Sequence, residues 1–435
     1  MSASAVLIGF AAMIAMLLLS FPVAVIMVVT GVIGGVLIFG WPLVMSMGPV
    51  SWGVLNENIL TAVPLFILLG ELLLRSGLAD KMYTALAVWF VRLPGGLLHT
   101  NIGASAMFAA TSGSSVATAA TIGTVSLPNL TKRGYSPSRS LGSLAAGGTL
   151  GILIPPSVNL LIYGSMAEVS IGQLFIAGIV PGVLLTLCFM AYIAIHSIIS
   201  PDPAERDARE TLLPIKERLK LAVHLIPPMM IFLVVMGSIY LGIATPTESA
   251  ALAVVAALIF IAFSGRLTFA LLDVSFRQSA KTTGMILLIV VAAFMLNVTL
   301  ALGGAAQAMT TWVASFGLSA TSLLLVLIVF YLVLGMFMDV LSMQVLTIPI
   351  ALPVITAAGI DPVWFGIFVV LMCELGMITP PVGMNLYVVQ GVRTDRGPFG
   401  DVVKGAIPYA VIMILFTIFL IMVPEVVLWL PAEVR

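Results

Sequence analysis

Apolar runs of about 20 residues, divided by short polar breaks, fill this chain from end to end, the length of a bilayer-crossing helix. A membrane β-barrel would instead alternate apolar and polar positions over ~10-residue segments. The runs predict crossings at 4–20, 22–40, 54–74, 140–165, 174–199, 221–242, 248–264, 282–301, 364–390 and 406–429. Two other apolar segments, 97–128 and 322–353, do not fit that scheme. Each is too long for one span of ~20 residues and too short for two spans with a loop. Two half-helices that enter and leave on one side fit better. The centres of these segments are Thr111-Ser112-Gly113-Ser114-Ser115 and Phe337 to Ser342 with Asp339, which places small and polar residues at the predicted tips.

The helix breakers repeat. Pro128, Gly134, Pro137, Gly151, Pro155 and Pro156 recur 225 positions later as Pro353, Gly359, Pro362, Gly376, Pro380 and Pro381. Apolar segments interrupted at matching places in two halves of a chain are the sequence pointer to a secondary transporter's binding site. The predicted fold class is therefore an all-α polytopic membrane protein with inverted structural repeats at 1–199 and 221–435. Each repeat holds an interfacial helix (78–94; 304–316), a re-entrant hairpin (97–128; 322–353) and a broken helix (140–165; 364–390).

Composition agrees: 61% of residues are hydrophobic and 8% charged, against about 25% charged in soluble globules. Charge then orients the chain. Threading ten crossings and two hairpins puts 17 of the 18 lysines and arginines on one face, leaving Arg435 opposite. By the positive-inside rule that face is cytoplasmic and both termini are periplasmic. The same threading inverts the halves, with the first hairpin opening from the cytoplasm and the second from outside. The stretch 200–220, with five basic and five acidic residues, reads as a solvated cytoplasmic linker.

Chemistry must come from the tips and breaks. A half-helix ending inside a membrane leaves backbone groups that cost several kcal/mol unless an ion, a ligand or protein pairs with them. Helix N-termini attract anions, whereas carbonyls and hydroxyls suit a small cation. One cation site per half follows from the repeat, in which Gly151 pairs with Gly376 and Ile154 with Thr379. Asp339, centred in an apolar stretch, is functional by default. Glu374 reads equally as a proton-titrating group or a satisfied buried contact. Glu71 and Arg75 read as a local pair, and His99, His196 and His224 are too dispersed for a metal cluster. No phosphate-cradling Gly-rich loop appears, and neither a histidine base within a span nor a His-Glu-x-x-His motif supports an enzyme.

Four stretches carry a family likeness: Ser112 to Thr118, Lys132-Arg133-Gly134-Tyr135, Gly148 to Ser157, and Thr379 to Leu386. With them the whole chain resembles the large membrane subunit of tripartite ATP-independent periplasmic (TRAP) transporters. The resemblance implies an elevator-type, sodium-coupled importer of organic acids in a bacterial inner membrane. It also implies a small four-helix membrane subunit and a periplasmic substrate-binding protein as partners, and no nucleic acid. On that likeness Ser114, Ser115, Gly151, Ile154 and Pro155 would shape one sodium site, and Asp339, Gly376, Thr379 and Met384 the other. Substrate would sit between the tips, near Ser112, Gly113, Ser114, Ser115, Asn159, Asp339, Ser342 and Asn385. The alternative is a stand-alone sodium-coupled carboxylate or ion transporter without a binding protein.

Overall fold

The computed structural model describes residues 2–204 and 213–433, and all its regular elements are helical. In the first half these are α1 (Ala3–Leu18), α2 (Val23–Phe39), α3 (Trp41–Leu55), α4 (Ala62–Arg75), α5 (Leu78–Phe90), α6 (Leu97–Ser112), α7 (Ser115–Lys132), α8 (Pro137–Leu153), α9 (Val158–Ala167) and α10 (Ile171–Ile199). After α11 (Ile215–Ala222) come α12 (Ile226–Tyr240), α13 (Pro246–Phe263), α14 (Phe269–Leu302), α15 (Ala305–Ala314), α16 (Ala320–Gly335) and α17 (Val340–Ala357). The chain closes with α18 (Pro362–Met377), α19 (Met384–Gly391), α20 (Phe399–Met422) and α21 (Glu425–Glu433).

Both segments set apart as hairpins double back. Leu97 opens α6 and Tyr135 follows α7, yet the Leu97 amide donates to the Tyr135 hydroxyl at 3.3 Å, so the two arms return to one place. Tyr331 and Thr347 lie eight residues either side of Asp339, and their hydroxyls are 2.8 Å apart. In a continuous helix, residues that far apart would be separated by about 24 Å. The two broken helices appear where Pro-Pro falls. α8 stops at Leu153 and α9 starts at Val158 with a bend of 41°, while α18 stops at Met377 and α19 starts at Met384. The repeat reaches the caps: Ser136 and Asp361 precede Pro137 and Pro362, each proline taking the first helical turn, where its missing N–H costs nothing.

α8 and α18 form the axis. From Ser140 to Leu153, and from Trp364 to Met377, every residue is buried. A helix buried on all faces needs neighbours all round, and α8 has α6, α7, α18 and α20. Without a hydrophobic drive between helices in lipid, small residues let backbones meet. A Cβ on Gly142 would lie 2.2 Å from the Gly405 carbonyl oxygen, which shows how closely α8 and α20 cross. Away from the axis, α2 packs on α14, where the Thr299 hydroxyl donates to the Gly31 carbonyl at 2.9 Å.

Several boundaries move. α3 occupies a stretch predicted as a connection. α14 runs 34 residues, starting well before the expected 282. The run expected at 406–429 ends at Met422, and Pro424 precedes the separate α21. Of the predicted linker, 205–212 with Arg206 and Arg209 lie outside the described residues, as does Arg435, and its far end is already helical from Ile215. Among the described residues seven helices are long and apolar enough to cross a membrane, eight if the bent α8–α9 pair counts as one span. One of the seven, α17, is an arm of the second hairpin, and the three expected crossings that are missing are α1, α2 and α18, which are shorter, at 16, 17 and 16 residues.

Candidate functional site

The first tip is a two-residue reversal. α6 ends at Ser112, Gly113 takes a left-handed conformation (φ 60°) that glycine adopts without steric cost, and Ser114 is extended and caps α7 by accepting from the Ala117 amide at 3.4 Å. Inside the turn the Ser112 and Thr118 hydroxyls are 3.0 Å apart, and Thr118 donates to the Ser114 carbonyl at 2.8 Å. This tip sits in the first helix break. A Cβ on Gly113 would lie 2.9 Å from the Pro156 carbonyl oxygen, and one on Gly151 would lie 2.7 Å from Ser115 Cα. On the other side Gly70 of α4 faces the Ser112 carbonyl, 3.1 Å from where a Cβ would stand.

At that break Ile154 is extended, the Pro155–Pro156 bond is cis and Ser157 caps α9 through the Leu160 amide at 3.3 Å. Prolines have no N–H to return to the last carbonyls of α8; the Leu150 carbonyl takes the Ile154 amide at 3.1 Å, and the Leu153 carbonyl lies 2.9 Å from where a Cβ on Gly178 of α10 would stand. Ser114, Ser115, Gly151 and Pro155 thus share one neighbourhood, and Ile154 joins it half-buried. Asn159, the second residue of α9, is buried.

The second tip is built alike but carries a carboxylate. α16 ends at Gly335, and Asp339 caps α17 by accepting the Ser342 amide at 3.2 Å and the Ser342 hydroxyl. Gly335 and Gly376 meet backbone to backbone, since a Cβ on Gly376 would lie 2.6 Å from Gly335 Cα. The Val382 amide donates to the Met336 carbonyl at 3.3 Å, which ties the second break to the second tip. Thr379 turns its hydroxyl back to the Leu375 carbonyl at 2.6 Å, and the Pro380–Pro381 bond is cis. Asp339, Gly376 and Thr379 therefore belong to one neighbourhood, whereas the Met384 side chain is exposed.

The halves meet at Glu374. Fully buried in α18, it accepts the Ser115 hydroxyl of the first tip, while its other oxygen has no protein partner. Asn385, from the second break, lies against α8: a Cβ on Gly148 would stand 2.9 Å from Asn385 Nδ2 and 3.4 Å from the Ser115 carbonyl. Both polar atoms of the buried Asn385 amide are unpaired, and so are both of Gln344 in α17. An unpaired buried group costs about 1–3 kcal/mol, so such a set suits a bound species that completes it. Among the described residues no group of three or more His, Cys, Asp or Glu could hold a metal. The oxygen donors present here are hydroxyls, carbonyls, amides and single carboxylates, a set for a hard, weakly held cation rather than zinc.

Gln344, Gly148 and Gly335 were not singled out from sequence. Gln344 had a signal, as a lone amide in the apolar arm of a hairpin; the two glycines are recognisable only from what packs on them. Glu71 and Arg75 form the local pair expected, at 3.0 Å. A cavity of about 520 Å³ lies away from the tips, between α1, α15 and the second hairpin. Its lining, including Val6, Phe10, Trp312, Phe330 and Val354, suits hydrocarbon rather than a carboxylate.

Comparison with known proteins places these features in a lineage. Residues 10–426 match the family model described as "Tripartite ATP-independent periplasmic transporter, DctM component". The chain is 34% identical over 377 residues to the C4-dicarboxylate TRAP transporter large permease protein DctM of Pseudomonas aeruginosa, covering 86% of each chain. It is 33% identical to the protein of the same name from Vibrio cholerae, over 98% of this chain and 97% of that one. In fold it is similar to the Alcanivorax borkumensis YdaH transporter, with a TM-score of 0.65 at 14% identity over 92% of this chain and 96% of that one.

Proposed function

Since the chain belongs to the DctM component family of tripartite ATP-independent periplasmic transporters, we propose that it imports an organic acid through the bacterial inner membrane, driven by sodium. The family is one of transporter components, not enzymes, and this chain is a multi-pass membrane permease subunit. The single observation that carries the finer reading is that two tips, each capped by an oxygen-bearing side chain, are seated in two helix breaks around buried, unpaired polar groups. The relatives named for C4-dicarboxylates make a small carboxylate the first substrate to test.

The caps support a division of labour. α7 opens on the neutral Ser114, so its N-terminal partial charge, about half an elementary charge, remains available to a substrate carboxylate. α17 opens on Asp339, whose negative charge answers that dipole and favours a cation instead. The sodium ions would take Ser114, Ser115, Gly151, Ile154 and Pro155 in the first half, and Asp339, Gly376 and Thr379 with the Met384 backbone in the second. Substrate would lie between the tips, within reach of Ser112, Gly113, Ser114, Ser115, Asn159, Asp339, Ser342 and Asn385.

In this reading the hairpins and broken helices slide as an elevator against the remaining helices, and the two repeats are inverted. The sidedness of lysine and arginine supports periplasmic termini. A periplasmic binding protein delivers the substrate and a small four-helix subunit completes the membrane assembly. The test is uptake of labelled organic acids into proteoliposomes holding the chain and its small subunit, with and without an inward sodium gradient and the binding protein. Uptake that needs both supports the proposal; uptake without the binding protein would move the assignment to a stand-alone carrier.

A further inference from the structure

Glu374 reaches out of its own repeat. It lies in α18, in the second half, yet the hydroxyl it accepts is that of Ser115 at the first hairpin tip. The repeat offers no counterpart to this contact. At the same 225-residue offset Glu374 corresponds to Thr149, whose hydroxyl turns back to the Ala146 carbonyl of its own helix at 2.6 Å. Ser115 corresponds to Val340, which has no hydroxyl to give. The second tip is held within its own repeat, by the 3.3 Å bond from the Val382 amide to Met336 and by the Gly335–Gly376 contact. The two gates are therefore alike in outline and fastened differently.

We propose that Glu374 is a positioning residue that latches the first hairpin tip to the broken helix of the second repeat, leaving the second hairpin as the tip that opens more readily. Lifting the first tip separates a fully buried polar pair, and neither Ser115 nor Glu374 makes a second side-chain hydrogen bond among the described residues. Separating groups in a water-excluded place carries their whole desolvation penalty. Lifting the second tip breaks one main-chain bond and the weak 3.9 Å bond from the Cys373 thiol to the Val340 carbonyl, and exposes glycine backbone to solvent. The inference rests on reading the hairpins as transport gates.

Val116 and Leu341 are related by the repeat, lie beside their tips and are both half-buried, so they make a matched pair of reporters. Each is replaced by cysteine in the full chain with its small subunit, in a Cys188→Ala, Cys373→Ser background that keeps a donor for the Val340 carbonyl, and the rate of labelling by a small maleimide is measured. Ser115→Ala and Glu374→Ala are each expected to speed labelling at position 116 about tenfold, equivalent to about 1.4 kcal/mol, with less than a twofold change at position 341. The double variant is expected to label no faster than either single one, because both remove the same pair. Glu374→Gln still accepts the Ser115 hydroxyl and is expected to stay within about threefold of the parent, about 0.7 kcal/mol. Equal acceleration at both positions, none at 116, additive single effects, or Glu374→Gln behaving as Glu374→Ala would each overturn the latch. Labelling needs no transport. A chain that labels as expected but takes up no organic acid would leave the latch standing and overturn the proposed substrate instead.

Discussion

Replacing Gly151 with alanine adds one methyl group at the point where the first hairpin tip enters the helix break. The added Cβ would stand 2.7 Å from both Ser115 Cα and the Ser114 carbonyl oxygen, and ordinary contact begins at 3.4 Å, so something must yield by about 0.7 Å. The obstructing atoms are backbone, not the end of a flexible side chain, and the tip has to move as a unit. Overpacking of this kind costs about 1–3 kcal/mol. Displacement of the tip also moves Ser114 and Ser115 away from the break, loosening the donor set proposed for sodium. If half of that penalty reaches the ion, the sodium concentration for half-maximal uptake rises about two- to twelvefold.

The assay is initial uptake rate against sodium concentration in proteoliposomes, together with the thermal midpoint of each variant. Gly376→Ala repeats the operation in the other half, with Gly335 Cα at 2.6 Å, and the same direction of change is expected. Gly284→Ala is the control: nothing lies within 4 Å of its added Cβ, and alanine in the middle of α14 stabilises a helix by up to about 1 kcal/mol. Normal sodium dependence in Gly151→Ala, with the control also normal, would refute the view that the tip must seat against α8 for the ion to bind.

The caps separate charge from folding. Asp339→Asn keeps a good N-cap and is expected to leave the thermal midpoint unchanged while weakening sodium dependence at least about tenfold, whereas Asp339→Ala also loses about 0.5–2 kcal/mol of stability. Conversely, Ser114→Asp retains a cap but places a negative charge at the N-terminus of α7. It is expected to raise the KM for a dicarboxylate about tenfold at unchanged stability, and an unaltered KM would remove the substrate from that tip. On the loop after α19, Arg393 holds the Asp395 carboxyl below the usual aspartate range by hydrogen bonding, and that contact adds stability above the unfolded pKa near 3.9 that is lost as pH falls through the lower folded value. Hydrogen exchange at 392–398 is therefore expected to accelerate below about pH 4, and Asp395→Asn to abolish the pH step. Arg75→Gln breaks the part-exposed Glu71 pair and is expected to shift stability by less than about 1 kcal/mol without altering uptake, read by thermal midpoint and initial rate.

Features with local causes were legible before any coordinates. Pro155-Pro156 and Pro380-Pro381 each follow the end of a helix, so both breaks stand where the repeat put them, whereas Pro227-Pro228 sits in the tolerated first turn of α12. Ser114 and Asp339 prefer cap positions, and each opens the return arm of its hairpin. What escaped depends on surroundings. Pro42, Pro49 and two glycines hid α3, although Pro42 stands in the tolerated first turn. Asp273, Arg277 and Lys281 suggested that a helix begins near 282, but on the exposed early turns of α14 charge is no obstacle, and Asp273 pairs with Arg277 at 2.8 Å one turn away. Glu374 was undecidable because its partner Ser115 is 259 residues distant, and no local spacing encodes that contact.

A duplicated scaffold with two equivalent sites would treat a carboxylate and a cation alike, and the differences between the halves fall where the two proposed cargoes would need opposite partners. Serine at one cap and aspartate at the other give matching helix N-termini different net charge in their surroundings. Glu374, with Thr149 at the related place, adds a second acidic group on one side alone, and its free oxygen together with the unpaired Asn385 amide faces the region where α8 receives the first tip. With no basic residue buried beside the tips among the described residues, a substrate carboxylate there has helix N-termini, hydroxyls and amides as partners, and a cation bound close by would add to its attraction. On the proposed sodium coupling, sodium bound first would strengthen substrate binding, and coupling would then be expressed as electrostatics.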